Sequence, residues 1–392
     1  MIEQIKKEAS ALLPWLVKTR RHLHAHPELS FKEYNTSSFI QTQLKTLGIP
    51  FEILCETGIV AMIYGEQQGE TIALRADIDA LPINELNQVE YKSQNEGVMH
   101  ACGHDVHTTS LLGTAAILLR LKSQIKGSIK LVFQLGEEKL PGGASMMIKT
   151  GALKNPVPKS ILGQHVYPEL ESGKVGFRSG KYMASADEIH LTVLGKGGHA
   201  ALPDRNIDPV LIASHIIVAL QQVVSRRVHP GLPCVLSFGK VEANGATNII
   251  PDEVNIAGTF RTFDEQWRIK AHEIIIQIAE NTAKAMGGDC RVNIGVGYPF
   301  VYNDVETTDQ AQTAAIEFLG KENVVDLEMR MTGEDFAYYS QEIPGTFYRL
   351  GTRESDVAPI LGLHTPTFDV DEKCLETGSG LMAYIAIKQL ES

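Results

Sequence analysis

Basic residues are the scarce class in this 392-residue chain: 36 Lys and Arg stand against 47 Asp and Glu, a formal net charge of -11. Phosphate backbones are gripped by clustered cations, so the charge balance argues against nucleic acid as a partner. Cysteine is sparse as well. The five cysteines, at positions 55, 102, 234, 290 and 374, are odd in number and widely spaced. That is not a disulfide framework, and it fits a reducing, cytoplasmic setting. No apolar run of membrane-spanning length stands out. The opening Met1-Ile2-Glu3-Gln4-Ile5-Lys6-Lys7-Glu8 reads as an amphipathic helix start without the apolar core of a signal peptide. Neither export nor membrane insertion is expected. Repeats and low-complexity linkers are lacking too.

A chain of this length exceeds one ordinary domain, and its 43% hydrophobic content suffices for two cores. Short β-rich runs at Thr71 to Ala76, Ile129 to Leu135 and Ser160 to Gly163 alternate with helical periodicity at Leu111 to Leu121. The expected fold class is α/β, a mainly parallel sheet with helices on both faces and ligands at the strand C-terminal ends. Near residue 185 the pattern changes. Glu188 to Leu194 alternates as a half-buried strand, and Asp208-Pro209 supplies a cap and first-turn proline for a helix through Val224. Its predicted inner face is Val210, Ala213, Ile217, Leu220 and Val224. Strands at Val235 to Val241 and Glu253 to Phe260, a helix near Gln266 to Ala285 and a strand at Cys290 to Val296 complete a β-α-β-β-α-β order, ferredoxin-like. The expected domains are therefore a discontinuous one, residues 1–184 and 299–392, and an inserted one, residues 185–298.

Chemistry-bearing residues cluster at four places far apart in sequence: His100-Ala101-Cys102-Gly103-His104-Asp105, Glu137-Glu138, His165 and His364. Cys102 and His104, two residues apart on one turn, can aim at one centre, and a catalytic metal site needs such deprotonatable donors. Asp105 and His107 follow immediately, so the ligating members of this run are not settled by spacing. Glu137 and Glu138, adjacent carboxylates beyond an apolar strand, repel one another unless a cation or proton separates them. One can bind metal while the other handles protons; the plainer alternative is a solvated loop edge. His165 and His364 carry weight only as completions of the set. Among His22, His24 and His26, only His22 and His26 share a helical face, and a structural role is expected for all three.

Taken in order, Arg21 to Glu28, Arg75-Ala76-Asp77-Ile78-Asp79-Ala80-Leu81-Pro82, His100 to Asp105, Glu137-Glu138, Gly195-Lys196-Gly197-Gly198-His199-Ala200, Thr247 to Pro251, Gly333-Glu334-Asp335-Phe336 and Leu363-His364-Thr365-Pro366 resemble the aminoacylase family of dinuclear metallopeptidases. The branch most resembled contains hippurate hydrolases, auxin-conjugate hydrolases and bacterial N-acyl-amino-acid deacetylases. The resemblance implies two divalent ions per subunit, ligated by Cys102, His104, Glu138, His165 and His364, with Glu137 as general base. Other branches place a His where this chain has Asp77 and a bridging Asp near His104, which leaves the ion open among manganese, zinc, cobalt and nickel. It further implies that His199 steadies an oxyanion, that Asn248 and Arg261 grip a substrate carboxylate, and that the inserted domain serves as a lid and dimer interface. The implied partners are a small N-acyl amino acid and a second subunit, a homodimer with a tetramer as the alternative. The expected activity is amide hydrolysis of N-acyl amino acids. A dipeptidase or carboxypeptidase on the same scaffold, and a non-catalytic metal or small-molecule binding protein, are the competing readings.

Overall fold

Apolar residues recur at three- and four-residue steps in the first helix, α1 (Ile2–Ala25), so Ile5, Ala9, Leu12, Leu16 and Leu23 form one buried face. After α2 (Tyr34–Leu47) come β1 (Phe51–Leu54), β2 (Gly58–Tyr64), β3 (Gln67–Asp77), α3 (His104–Arg120), β4 (Lys126–Gln134), α4 (Gly143–Thr150), β5 (Ser160–Glu171) and β6 (Val175–Phe177). A second unit then follows: β7 (Asp187–Leu194), α5 (Pro209–Leu220), β8 (Cys234–Glu242), β9 (Glu253–Thr262), α6 (Glu265–Ala285) and β10 (Asp289–Gly295). The chain returns through α7 (Val305–Leu319), β11 (Val324–Asp326), α8 (Phe336–Glu342), β12 (Gly345–Arg353) and α9 (Cys374–Glu391). The computed structural model describes residues 1–355 and 360–391. Its first unit comprises Met1–Tyr182, Tyr302–Met329 and Asp335–Ser392, and its second Met183–Val301 and Arg330–Glu334.

The first unit is built on an eight-stranded sheet in the order β1-β2-β4-β3-β5-β12-β6-β11. Its centre, β4, β3, β5 and β12, is parallel, whereas β1, β2 and the β12–β6 pair run antiparallel. Side chains alternate across a strand. Leu74, Leu131 and Leu162 therefore join one core with α1, α3 and α9, while the equally buried Ala73, Val132 and Ile161 point to the opposite face. Register then fixes the site's location. Asp77 pairs with Gln134 and Arg75 with Gly163, so Asp77 and Gln134, the last residues of β3 and β4, stand level with His165 midway along the longer β5, and strand C-terminal ends are where such sheets bind ligands.

The second unit is a four-stranded antiparallel sheet, β8-β9-β7-β10, with α5 and α6 packed on it, the β-α-β-β-α-β arrangement expected. The Asp208 carboxylate caps α5 by accepting from Val210 and Leu211 N–H. Two details differ from the sequence reading. The helix ends at Leu220 and its buried face is Pro209, Ile212, Ala213, Ile216 and Leu220, continued by Val223 in a π-helical turn over Val223–Arg227. Val210 is 39% exposed, because a helix apolar nearly all round gives periodicity too little contrast to choose a face. The same composition makes Pro209–Arg227 long and apolar enough to cross a membrane, contrary to the expectation of no such run; here its inner face is part of this core. Beneath α6, the buried Asp187 carboxylate pairs with Arg268, accepts from Gly297 N–H at 3.0 Å and meets His272 Nε2 at 2.7 Å.

Candidate metal centre

Gly103 lies between Cys102 and His104 with φ 77°, and a Cβ there would sit 2.6 Å from a Val166 methyl. Only glycine makes this left-handed turn against β5 without strain, and the turn brings Cys102 and His104 together as α3 begins. The Cys102 sulfur lies 3.4 Å from His165 Nε2 and 3.3 Å from His364 Nε2. His364 Nε2 is in turn 3.2 Å from Glu138 Oε1, and His104 Nε2 is 3.9 Å from that same oxygen. His364 reaches this position with φ 59°, an uncommon backbone conformation for a non-glycine residue. Its N–H donates to Ala101 O at 2.8 Å.

Among the described residues, two three-donor clusters share the Cys102 sulfur, Cys102 with His104 and His165, and Cys102 with Glu138 and His364. Donors each about 2.2 Å from a tetrahedral ion are about 3.6 Å apart, and the separations within the clusters, 3.2 to 3.4 Å, lie close to that value. His104 Nε2 and Glu138 Oε1 are buried without a hydrogen-bond partner among the described residues. Such orphaned polar atoms are costly unless something else satisfies them, and the residues fit a pair of divalent cations.

The electrostatics point the same way. Burial, reinforced by the carboxylates of Glu138, Glu137 and Asp77, pushes the Cys102 thiol well above its ordinary pKa. Burial also works against charge on His104, yet Asp77, Asp79 and Glu138 outweigh it and push that imidazole up to about 10. The pocket thus demands positive charge, and a divalent cation supplies it while releasing protons from Cys102 and His104. Burial holds His165 well below the ordinary imidazole range, so it stays neutral. Its Nδ1–H donates to Val166 O at 2.8 Å, which leaves Nε2 as the lone-pair donor.

Partners that aim these ligands came without roles from the sequence. Asp79 accepts His104 Nδ1–H at 3.1 Å, Glu138 N–H at 3.0 Å and Ser30 O–H at 2.7 Å, and so fastens two candidate ligands at once. Glu33 accepts Gly136 N–H at 2.8 Å and fixes the loop ahead of Glu137. His107 is occupied on both nitrogens: Nδ1–H donates to Asp77 at 2.6 Å and Nε2 accepts Val166 N–H at 2.9 Å. It braces α3 against β5 and has no lone pair left for a metal. Asp105, the other open candidate, is bound to Arg20 and His24, each at 2.8 Å. His100 is buried without a partner on either nitrogen among the described residues, and burial pushes it down to about 4.

His22, His24 and His26 divide as the helical spacing requires. His24 is buried against Asp105 and Glu85, while His22 stacks on Phe39 and lies 4.6 Å from His26 by ring centroids. Glu137 is 7% exposed, and its carboxylate accepts Asp335 N–H at 3.4 Å. In the second unit, His199 and Asn248 meet where Gly198–His199 pairs with Ile249–Ile250. Asn248 O accepts Ala200 N–H at 3.1 Å, and His199 Nδ1 accepts Ala201 N–H at 3.1 Å, leaving the His199 proton on Nε2. Arg261 lies on β9, where its Nε–H donates to Thr259 Oγ1 at 2.9 Å.

Comparison with known proteins gives this geometry a family. The model of peptidase family M20/M25/M40 matches residues 73–388. N-acetyl-L-cysteine deacetylase of Bacillus subtilis is 40% identical over 384 residues, covering 98% of this chain and 90% of that protein. Thermostable carboxypeptidase 2 of Saccharolobus solfataricus is 37% identical over 392 residues, covering 99% and 98%. A Bacillus subtilis crystal structure described as a dinuclear metal binding peptidase of family M20 superposes with a TM-score of 0.84 at 36% identity, covering 97% of this chain and 99% of that one. A family model across most of the chain, and relatives aligned nearly end to end, establish that the chain belongs to peptidase family M20/M25/M40.

Proposed function

We propose that this protein is a metal-dependent amidohydrolase that cleaves N-acyl amino acids to the free amino acid and a carboxylic acid. The observation that carries the reading is the pair of donor clusters sharing the Cys102 sulfur beside Glu137. Cys102, His104 and His165 would hold one divalent ion, and Cys102, Glu138 and His364 the other. When bound, the ions supply Lewis acidity, acidifying water and polarising the acyl carbonyl. The Glu137 carboxylate takes the attacking water's proton as the C–O bond forms, then delivers it to the amine nitrogen as the C–N bond breaks. His199, with its proton on Nε2, donates to the tetrahedral oxyanion, a contribution of about 3 to 4 kcal/mol in comparable sites. Asn248 and Arg261 bind the α-carboxylate that distinguishes an amino-acid amide.

The named activity of the Bacillus subtilis deacetylase supports an N-acyl substrate. That of the Saccharolobus solfataricus enzyme favours a second reading, a carboxypeptidase. A homodimer is part of the proposal, since β8 is an outermost strand and α5 exposes Leu211 by 52% and Val218 by 73%. Five free cysteines support a reducing cytoplasm, where Cys102 stays available as a ligand. Chelated enzyme reloaded with manganese, cobalt, nickel or zinc should recover turnover of N-acetyl or N-benzoyl amino acids and prefer them to dipeptides. Full activity in demonstrably metal-free protein, or a preference for dipeptides, would reject the reading.

A further inference from the structure

The mechanism above leaves Asp335 without a task, although it lies fully buried beside the general base. Its carboxylate is crowded with donors. Gln134 Nε2 reaches both oxygens at 2.8 Å, Arg75 donates to Oδ1 at 2.9 Å, and Ala144 N–H donates to Oδ2 at 3.0 Å. Gln134 and Ala144 are the two ends of the segment that carries Glu137 and Glu138. Arg75 is itself fully buried and held to Asp77 and to Gln134 Oε1. From the same residue, Asp335 N–H points at Glu137 Oε1, 3.4 Å away.

We infer that Asp335 is a positioning residue for Glu137: its carboxylate fastens both ends of the Gln134–Ala144 segment while its N–H steers the Glu137 carboxylate. The inference rests on Glu137 being the base. A carboxylate is required chemically, because each oxygen receives donors and has none to give. In Asp335→Asn the amide NH2 faces either Arg75 and Gln134 or Ala144 and Gln134, donor against donor, whichever way it turns. Glu138 is separately fastened through Asp79, so the ligand should survive a change that releases the base. Misplacement by about 1 Å can cost about 100-fold in rate.

The test compares Asp335→Asn, Glu137→Gln and the double variant, each loaded with the activating metal, for kcat, KM and metal content on an N-acyl amino acid. Asp335→Asn should keep two ions and a KM within about threefold of the parent while kcat falls about 10- to 100-fold. The double variant should be no slower than Glu137→Gln, since a residue acting through Glu137 has nothing left to position. Unchanged kcat, additive losses in the double variant, or loss of metal with a matching rise in KM would each overturn the proposal. Near-parental activity of Glu137→Gln would instead remove the base assignment itself. Should Asp335→Asn fail to fold, Gln134→Met removes two of the same hydrogen bonds at similar volume. It should lower kcat several-fold with metals retained, and an unchanged kcat there would also overturn the inference.

Discussion

Replacing Asp79 by Asn changes one atom and should loosen the metal centre from outside it. The ionised carboxylate joins two proposed ligands: Oδ1 accepts His104 Nδ1–H at 3.1 Å, and Oδ2 accepts Glu138 N–H at 3.0 Å and Ser30 O–H at 2.7 Å. Burial alone would raise the Asp79 pKa, yet the His104 hydrogen bond and charge, with the Glu138 and Ser30 donors, hold it below the ordinary value. Asn can accept on one side only. If its oxygen faces His104, its NH2 opposes Glu138 N–H; if it faces Glu138, His104 loses the bond that fixes its tautomer. Loss of one such outer partner weakens metal binding about 10- to 100-fold, roughly 1.4 to 2.7 kcal/mol. Two ligands depend on Asp79, which places the expectation near the upper end. Titration of the chelated enzyme with its activating metal against a competing chelator gives the dissociation constants directly. A folded Asp79→Asn variant binding both ions within about threefold of the parent would refute the clamp.

Other outcomes follow from the same geometry. Cys102→Ala should lose metal, read as ions per subunit by metal analysis, because it removes a donor common to both clusters; a folded variant that keeps both ions would reject Cys102 as a ligand. Arg261→Ala should raise KM about 10- to 100-fold for N-acyl amino acids and much less for their amides or esters, and an equal effect on both would make Arg261 structural. Asp187 is held down to about 2, its Arg268 and His272 hydrogen bonds overcoming the opposing effect of burial. Its stabilisation, about 2 kcal/mol, is fully present above the unfolded pKa of about 4 and is lost as pH falls through about 2. Asp187→Asn should cost the second unit about 2 kcal/mol by removing charge-assisted hydrogen bonds of Arg268, which keeps Glu265 and Gly297 O, each at 2.9 Å, read by urea unfolding through Trp267 in a Trp15→Phe background. A loss below about 1 kcal/mol would contradict the pairing.

Much of the architecture is legible because its signals are local. Glu188 to Leu194 alternates as a strand with one buried face, and Asp208-Pro209 caps a helix where such a pair should. Where contrast fails, legibility fails: α5 is apolar almost all round, so its inner face is chosen by the sheet beneath it rather than by its own pattern. In the candidate metal centre, Cys102 and His104 stand out as candidates by type and close spacing, and Glu137-Glu138 by the repulsion of neighbouring carboxylates. The groups that aim them do not, because their partners are remote. Asp79 reaches His104 across 25 positions and Asp335 reaches Gln134 across 201, distances at which spacing carries no information. The available hint is compositional: Asp77 and Asp79, alternate acids at the end of an apolar strand, would be poorly placed without cationic or hydrogen-bonding partners.

Glu138 is proposed to hold metal and Glu137 to move the proton, a division of labour between two adjacent carboxylates. Metal content and turnover measured together on Glu137→Gln and Glu138→Gln test it most directly. Glu137→Gln should retain two ions per subunit with kcat reduced at least about 100-fold, whereas Glu138→Gln should lose at least one ion. A metal-depleted Glu137→Gln beside a fully loaded Glu138→Gln would contradict the account and exchange the two roles.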